Sequence, residues 1–285
     1  MKKTLTKPRD QTLGVRFTKM TGTGNDFLIF DARETGFPKF DRPLFVKSIC
    51  RRSFSVGADG VVFIEKPKGP QTTFKWDFYN ADGSFAEMCG NASRCVARYA
   101  FENGFAGREV SFETSAGVIE AKVLTSGIVE VEMPPSVLLE KKAEIPLGEH
   151  LKISVLYINT GVPHVVKEED DWGDEYLHDM GRHLRSHEKF KKTNGTNVTF
   201  YEKVEGSIIH SATYERGVEA VTPACGTGAV AAAFAAALSG VPSPIEVRVP
   251  GGTLHVDLDL ETMCAVLAGE ARFICEGRIL PEALL

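Results

Sequence analysis

Short runs in which apolar and polar residues alternate cover most of this 285-residue chain, and this pattern is typical of β-strands. A first series of predicted strands begins at Val15–Met20 and ends at Val129–Met133, where Pro134-Pro135 stops the alternation. A second series begins at Ile153–Ile158 and ends at Met263–Leu267. The chain is therefore predicted to be dominated by β-sheet.

Each series is interrupted by a Cys-Gly dipeptide that opens a predicted helix. Cys89-Gly90 starts the helix 89–101, and Cys225-Gly226 precedes the alanine-rich helix 229–238. The seven alanines of this second helix leave no polar face, which predicts burial on all sides. The glycine before the next strand follows 28 residues after Cys89 and 27 residues after Cys225, so the spacing indicates an internal duplication.

Two copies of this arrangement predict an α+β fold with two pseudo-symmetric domains, each a largely antiparallel β-sheet or barrel wrapped around a buried central helix. Residues 1–14 are expected to form a flexible tail, residues 15–134 the first half and residues 135–273 the second half. The last segment, about 274–285, is a candidate to return to the first half. The cleft between the halves is the expected ligand site.

Composition narrows the class of partner. A net charge of -5 gives no basic surface for a nucleic acid, and no stretch is apolar over the length of a membrane span. The basic start of the chain is not followed by the apolar core of a signal peptide. We therefore expect a cytoplasmic protein that binds a small molecule.

The six cysteines are too sparse for the disulfide framework of a small secreted protein. Cys50, Cys264 and Cys275 are expected to be buried apolar residues. Cys89 and Cys95 lack a second ligand pair at suitable spacing, so zinc is not expected, nor is any other metal or cofactor.

The position of Cys89 and Cys225 points to chemistry, because cysteine is a poor N-cap residue. A helix N-terminus presents unpaired N–H groups and a dipole that stabilise anions, and it is expected to lower the pKa of a thiol. Gly90 and Gly226 would let a carboxylate approach the backbone. Two opposed cysteines can serve as base and acid on the two faces of one carbon, as inversion of an amino-acid stereocentre requires. The alternative is a pair of buried core cysteines before ordinary glycine turns.

Eight motifs in this order resemble the diaminopimelate epimerase family over nearly the whole chain beyond the tail. They are Gly24-Asn25-Asp26-Phe27, Gly57-Ala58-Asp59-Gly60, Tyr79-Asn80-Ala81-Asp82-Gly83-Ser84, Met88-Cys89-Gly90-Asn91, Pro163-His164, Thr196-Asn197-Val198, Tyr214-Glu215-Arg216-Gly217 and Ala224-Cys225-Gly226-Thr227-Gly228. The resemblance implies an isomerase, commonly a homodimer, that interconverts LL- and meso-diaminopimelate without pyridoxal phosphate. Such an enzyme supplies lysine and peptidoglycan precursors.

The resemblance also implies roles for individual residues, with Cys89 and Cys225 as the acid-base pair. The residues expected to hold the reacting carboxylate and amine are Gly90, Asn91, Gly226 and Thr227. Those expected to bind the distal end of the amino acid are Asn25, Asn80, Asn197 and Arg216, with Glu215 also in the substrate site and His164 in a supporting position. Structural roles remain open for the three distal asparagines as turn residues, for Arg216 as a surface ion pair and for His164 as a core histidine.

Three positions depart from the family pattern. Val162 stands where many members have asparagine, Gly60 where many have glutamine, and Val221 precedes Thr222 where many have glutamate. Val162 removes one amide from the expected distal site, so a related cofactor-independent racemase of another amino acid, such as histidine, is the second hypothesis. A phenazine-biosynthesis-like isomerase is a third, although those enzymes lack the cysteine pair. A non-catalytic protein that binds a carboxylate at the helix ends is the fourth.

Overall fold

The computed structural model describes residues 14–34, 36–124, 127–148, 151–170 and 172–285. The predicted tail therefore lies, up to residue 13, outside the described residues. No described helix is both long and apolar enough to cross a membrane.

The first series forms the strands predicted from its alternation, together with the two-residue strand Phe85–Ala86, which was not predicted. The strands are β1 (Arg16–Gly22), β2 (Asn25–Asp31), β3 (Gly60–Glu65), β4 (Phe74–Asn80), β5 (Phe85–Ala86), β6 (Glu109–Thr114), β7 (Gly117–Val123) and β8 (Ile128–Met133), and the helices are α1 (Arg42–Ile49) and α2 (Gly90–Glu102). Helix α1 begins after Asp41, whose carboxylate accepts a hydrogen bond from the backbone N–H of Leu44, with Pro43 in its first turn.

The second series repeats these elements and adds some that its pattern did not predict. The strands are β9 (Val137–Pro146), β10 (Lys152–Asn159), β11 (Pro163–Glu168), β12 (Asn197–Glu205), β13 (Ile208–Glu215), β14 (Ala220–Thr222), β15 (Ile245–Val249), β16 (Gly252–Asp259), β17 (Cys264–Glu270) and β18 (Arg272–Arg278). The helices are α3 (Asp174–Arg185), α4 (Gly226–Leu238) and two 3-10 helices, Glu188–Thr193 and Pro281–Leu284. The unpredicted elements are β9, β14, α3, β18 and the 3-10 helices.

Both halves of the sheet have the same strand order. The first half runs β18-β1-β2-β3-β4-β6-β7-β8, and the second runs β9-β10-β11-β12-β13-β15-β16-β17. The pairs β2/β3, β4/β6, β11/β12 and β13/β15 are parallel and the other pairs are antiparallel. The predicted α+β class, with two largely antiparallel halves, is confirmed.

Each half is completed by a strand that arrives from the other half. Strand β9 follows β8 along the chain but pairs with β10, while β18 follows β17 but pairs with β1. The terminal 3-10 helix then packs beside α1, where the Arg51 guanidinium donates to the carbonyl of Leu285. The division into domains at 134/135 and 273/274 remains a prediction.

The two halves join along β8 and β17, which pair antiparallel with Val131 opposite Leu267. Val131 pairs with Ala121 in the first half, and Leu267 pairs with Val256 in the second. Because these residues occupy equivalent places in the duplicated hairpins, the pair Val131–Leu267 marks the pseudo-twofold axis.

Helices α2 and α4 lie inside the two halves of the sheet. All residues from Gly228 to Ala236 of α4 are buried, which confirms that its alanine-rich sequence fits an enclosed helix. Small side chains let the surrounding strands approach the helix axis on every side. The apolar core that includes both helices is continuous between the halves.

Two of the predicted cysteine environments are wrong. Cys50 is buried, but Cys264 and Cys275 are exposed. Cys264 occupies an outward-facing position of β17, where exposed and buried residues alternate, whereas β18 is exposed on both faces around Cys275. Composition alone does not give this facing.

We predict that Ala231→Leu lowers the free energy of unfolding by about 1–3 kcal/mol, because the added side chain has no space around the fully buried Ala231. Ala237→Leu, in the last turn of the same helix and partly exposed, should change it by less than about 0.5 kcal/mol. Urea unfolding followed by circular dichroism measures both. Equal effects of the two substitutions would contradict the enclosed position of α4.

Candidate active site

Helices α2 and α4 begin at the pseudo-twofold axis, with Cys89 and Cys225 as their N-cap residues. A Cβ atom built on Gly226 would lie 3.7 Å from the Cα atom of Gly90, so the first residues of the two helices nearly touch. The Cδ2 atom of Leu267 lies about equally close to both glycines, 3.2 and 3.1 Å from Cβ atoms built on Gly90 and Gly226. A side chain at either position would therefore press against Leu267.

Both cysteines are partly exposed and both lie where unpaired helix N–H groups point. The Sγ atom of Cys225 accepts a hydrogen bond from the backbone N–H of Gly228 at 3.4 Å. The Sγ atom of Cys89 makes only a long contact, 3.9 Å, to Oδ1 of Asn25.

The expected lowering of the thiol pKa by the helix ends is wrong for this arrangement. Burial raises the pKa of Cys89, and the N–H groups of Ala92 and Asn91 act only partly against it. Burial also raises the pKa of Cys225 well above its usual value, and the neighbouring Glu215 carboxylate raises it further. The helix dipole favours a thiolate, but removal of the thiol from water has the larger effect.

Glu215 ends β13 beside Cys225. Its pKa is raised by burial, while hydrogen bonds with Thr222 and Cys225 act in the opposite direction. The hydroxyl of Thr222 donates to its carboxylate. Thr222 therefore contacts the site, although the residue before it is Val221 and not the glutamate that many family members have.

His164 is fully buried and joins Cys225 through Thr227. Its Nε2 atom lies 2.9 Å from Oγ1 of Thr227, and this hydroxyl lies 3.4 Å from the Sγ atom of Cys225. Its Nδ1 atom lies 2.9 Å from Oγ1 of Thr199. Burial lowers the pKa of His164 to about 3, so the ring is neutral at pH 7.

Asn197 and Arg216 lie together at the second half of the site. The Oδ1 atom of Asn197 accepts from the backbone N–H of Arg216 at 2.8 Å, and its Nδ2 atom lies 3.4 Å from Nε2 of His164. The Arg216 guanidinium donates to the carbonyls of Thr193 and Gly195. Among the described residues it pairs with no carboxylate, so the alternative of a surface ion pair is not found.

Asn25 and Asn91 form the first half of the site. Nδ2 of Asn25 donates to Oδ2 of Asp59 at 2.8 Å, and its Oδ1 accepts from Nδ2 of Asn91 at 3.2 Å. Asn91 also donates to the carbonyl of Ala224 at 3.1 Å. This hydrogen bond links the two halves at the residue that precedes Cys225.

Asn80 lies apart from these contacts. It is exposed at the end of β4, and its amide donates to the hydroxyl of Ser84 at 3.0 Å. Among the predicted site residues with polar side chains, Asn80 makes no described hydrogen bond to the groups around the cysteines.

Strand register shows how two of the departures from the family pattern are related by the duplication. In the parallel pairs, Phe27 lies opposite Gly60 and His164 lies opposite Asn197, so these two pairs of positions are equivalent by the duplication. Val162, two residues before His164, is then equivalent to Asn25, two residues before Phe27. In each half-site, one position therefore lacks the amide that its equivalent in the other half carries. Gly60 is equivalent to Asn197, and Val162 is equivalent to Asn25.

The packing around Gly60 leaves no space for a side chain. A Cβ atom there would lie 2.8 Å from Cε2 of Phe78 and 2.9 Å from the carbonyl of Tyr79, so any larger residue would force these neighbours to move. Val162 is partly buried, and its carbonyl accepts from the backbone N–H of Thr160 at 3.2 Å.

Several residues of the site were not predicted. Arg94, Asp59, Thr199, Thr213 and Thr222 all hydrogen-bond to predicted site residues or to each other. Asp59 lies within a motif that carries the family resemblance, which could have singled it out. The threonines alternate with apolar residues on ordinary strands, and Arg94 lies on a helix, so pattern alone does not reveal them.

The candidate site is marked neither by a cluster of metal ligands nor by a large groove among the described residues. Among the described residues, no group of three or more His, Cys, Asp or Glu is placed to hold a metal ion. A groove of about 1160 Å³ lies beside β1 and β18, but none of the predicted site residues lines it. The candidate site is identified by the facing helix ends and their thiols.

Comparison with known proteins agrees with this geometry. A family model described as diaminopimelate epimerase matches residues 17–139 and 156–274. The chain belongs to the diaminopimelate epimerase family. It is 40% identical to the diaminopimelate epimerase of Aquifex aeolicus over 95% of this chain and 99% of the relative. It is 38% identical to that of Archaeoglobus fulgidus, over 92% and 95%. Diaminopimelate epimerase membership makes this chain an isomerase.

Solved structures show the same fold at low sequence identity. A hydroxyproline epimerase from Agrobacterium vitis, with bound trans-4-hydroxy-L-proline, has a TM-score of 0.73 at 17% identity, covering 96% of this chain and 94% of its own. A phenazine biosynthesis protein from Bacillus anthracis has a TM-score of 0.69 at 14% identity, covering 93% and 99%. The architecture around the two central helices is thus shared by diaminopimelate epimerases and these proteins.

We predict that His164 makes stability depend on pH. Because its folded pKa of about 3 lies below the unfolded value near 6.5, only the unfolded chain gains a proton between these values. Stability should therefore fall, as pH drops below 6.5, by about 1.4 kcal/mol per pH unit from this group. Urea unfolding at pH 7 and pH 5 should show that His164→Gln removes this part of the slope. The same loss in His255→Gln, at an exposed histidine, would contradict it.

Proposed function

We propose that this enzyme interconverts LL-2,6-diaminopimelate and meso-diaminopimelate by proton transfer between Cys89, the α-carbon and Cys225. The observation that supports this most directly is the meeting of the two Cys-capped helix starts at the pseudo-twofold axis. The family's curated members from bacteria and archaea, such as those of Aquifex aeolicus and Archaeoglobus fulgidus, carry the name of this activity. Lysine biosynthesis is the pathway that follows from the name.

In this mechanism the reacting carboxylate lies between the two helix ends. The free N–H groups of the first turns, which begin at Gly90 and Gly226, donate to it and stabilise the charge that develops when the α-proton leaves. A thiolate on one face removes the proton, and the electron pair stays on the α-carbon. The thiol on the opposite face then gives its proton to that carbon, and its sulfur becomes the thiolate.

The second half of the site supplies contacts for the distal end. Arg216 offers a planar guanidinium without a carboxylate partner among the described residues, and this group suits the distal carboxylate of diaminopimelate. Asn197 holds the backbone of Arg216 in place. Asn25 and Asn80 are the proposed partners of the distal ammonium and carboxylate on the first side, with Val162 forming an apolar wall.

Deuterium exchange tests the reaction and the substrate together. Incubation of the enzyme with LL-diaminopimelate in D2O should give meso product with deuterium at the inverted α-carbon, detected by mass spectrometry and chiral chromatography. L-histidine in a parallel incubation should remain unlabelled. Labelling of histidine and not of diaminopimelate would assign the chain to the rival racemase.

We predict that Cys89→Ala and Cys225→Ala each lower kcat by at least about 1000-fold, because each removes one of the two proton-transfer groups. Cys95→Ala is the matched control, since Cys95 is buried on α2 and burial raises its pKa to about 12. Circular dichroism should show all three variants folded. Wild-type turnover in either of the first two would exclude the mechanism.

We also predict that oxidation joins Cys89 to Cys225, because their thiols lie at helix ends that nearly touch. Treatment with a mild oxidant should abolish activity, and dithiothreitol should restore it. Peptide mapping identifies the bond. Full activity in a sample with this disulfide mapped would contradict the need for free thiols, and failure of the bond to form under oxidation would contradict the facing arrangement.

The remaining expectations concern assembly and location. We propose a homodimer, for which the exposed apolar side chains of Phe273 and Ile274 on β18 are a candidate surface. Analytical ultracentrifugation measures this state. A diaminopimelate enzyme that needs only its small amino-acid substrate, without nucleic acid or membrane, also fits the proposed cytoplasmic location.

A further inference from the structure

Arg94 is a buried cation that pairs with no carboxylate in the part of the chain that the structure describes. It lies in the second turn of α2 with no exposed surface. Its guanidinium donates to Oγ1 of Thr23 at 3.0 Å, to Oδ1 of Asn91 at 2.9 Å and to the carbonyl of Gly90 at 3.5 Å. Its Nε atom has no hydrogen-bond partner among the described residues. Burial of a charge without a counter-ion lowers the stability of the fold by several kcal/mol, so a structural role alone gives no reason for an arginine at this position.

The Arg94 guanidinium is the first donor in a series of three hydrogen bonds, in which each side chain donates to the next. Arg94 donates to Oδ1 of Asn91, Nδ2 of Asn91 donates to Oδ1 of Asn25, and Nδ2 of Asn25 donates to Asp59. Since a guanidinium only donates and a carboxylate only accepts, the two ends determine which way both amides face. The carbonyl oxygen of Asn25 is thereby turned toward Cys89.

Helix α4 carries no cation at the position equivalent to Arg94. By the spacing of Gly90 and Gly226, the position equivalent to Arg94 on α4 is Val230, which is also fully buried. Space for the guanidinium comes from β17, where a Cβ atom on Gly269 would lie 3.2 Å from Nε of Arg94. The positive charge therefore favours an anion at the Cys89 side of the site.

We propose that Arg94 is a positioning residue of the reaction: it fixes the orientation of Asn91 and Asn25, and its charge balances the negative charge that Cys89 or the reacting carboxylate brings to the start of α2. This inference rests on the proposed function. The charged or titratable groups that face Cys89 are Arg94 and Cys95 on α2, Glu215 on β13 and Cys225 before α4. Of these, only Arg94 is a cation.

Three variants separate the parts of this role. Arg94→Met removes the charge and keeps the volume, Arg94→Lys keeps the charge but loses the planar fork, and Arg98→Met removes a charge one turn further along α2. The first readout is alkylation of Cys89 by iodoacetamide between pH 6 and pH 10, followed by peptide mass spectrometry. It needs no substrate, so it can fail independently of the proposed function, which the deuterium exchange of the wild type tests.

With Arg94→Met, the pH midpoint of Cys89 alkylation should rise by about one unit, and kcat should fall about 100-fold, because the nearby positive charge is lost. The urea midpoint should stay the same or rise, since an apolar residue replaces an unpaired buried charge. With Arg94→Lys the alkylation midpoint should stay near that of the wild type while kcat falls about tenfold. Arg98→Met should match the wild type in both.

An unshifted alkylation midpoint in Arg94→Met together with a lower urea midpoint would assign Arg94 a purely structural role and overturn the proposal. If Arg94→Met does not fold, Arg94→Lys decides: a wild-type kcat in that variant would overturn the orienting role, and a displaced alkylation midpoint would overturn the electrostatic one.

Discussion

Two helices that point their N-termini at one another are the constraint on which this structure depends. Like ends of two helix dipoles repel, and the free N–H groups of both first turns compete for the same small volume. Such an arrangement is stable only where the surrounding sheet holds the helices in place and where an anion can enter between them. The contact of Leu267 with Gly90 and Gly226 sets their separation, and the pairing of β8 with β17 supports that contact.

The duplicated backbone carries two different sets of side chains. In the first half, Asn25 and Asn91 lie beside an arginine and face Cys89; in the second, Glu215 and the neutral His164 surround Cys225. Around Cys89 the backbone N–H groups of Ala92 and Asn91 act partly against the rise in pKa that burial causes, whereas around Cys225 the Glu215 carboxylate adds to that rise. The symmetric fold therefore places its two thiols in different electrostatic surroundings.

The sequence predicted the elements whose side chains obey a strict period. Most strands of both series, the enclosed α4 and the two helix-capping cysteines followed from alternation, composition and spacing. Strand β9 was missed because most of its residues are exposed, so burial leaves no periodic signal. The direction of the thiol pKa was wrong because the depth of burial depends on tertiary packing. The hydrogen bonds of Arg94 and Thr199 likewise join residues that are far apart in the chain.

The exchange of β9 and β18 between the halves has a consequence during synthesis. Among the described strands, β18 alone pairs with the edge of β1 that β2 does not occupy, and β18 is synthesised after all the other described strands. A nascent chain that has already completed β8 thus still exposes the unpaired backbone groups of β1 on that side. Strand edges of this kind favour association with other chains. Because translation proceeds from the N-terminus, the described strand that is made first stays open on one edge until the described strand that is made last has been released.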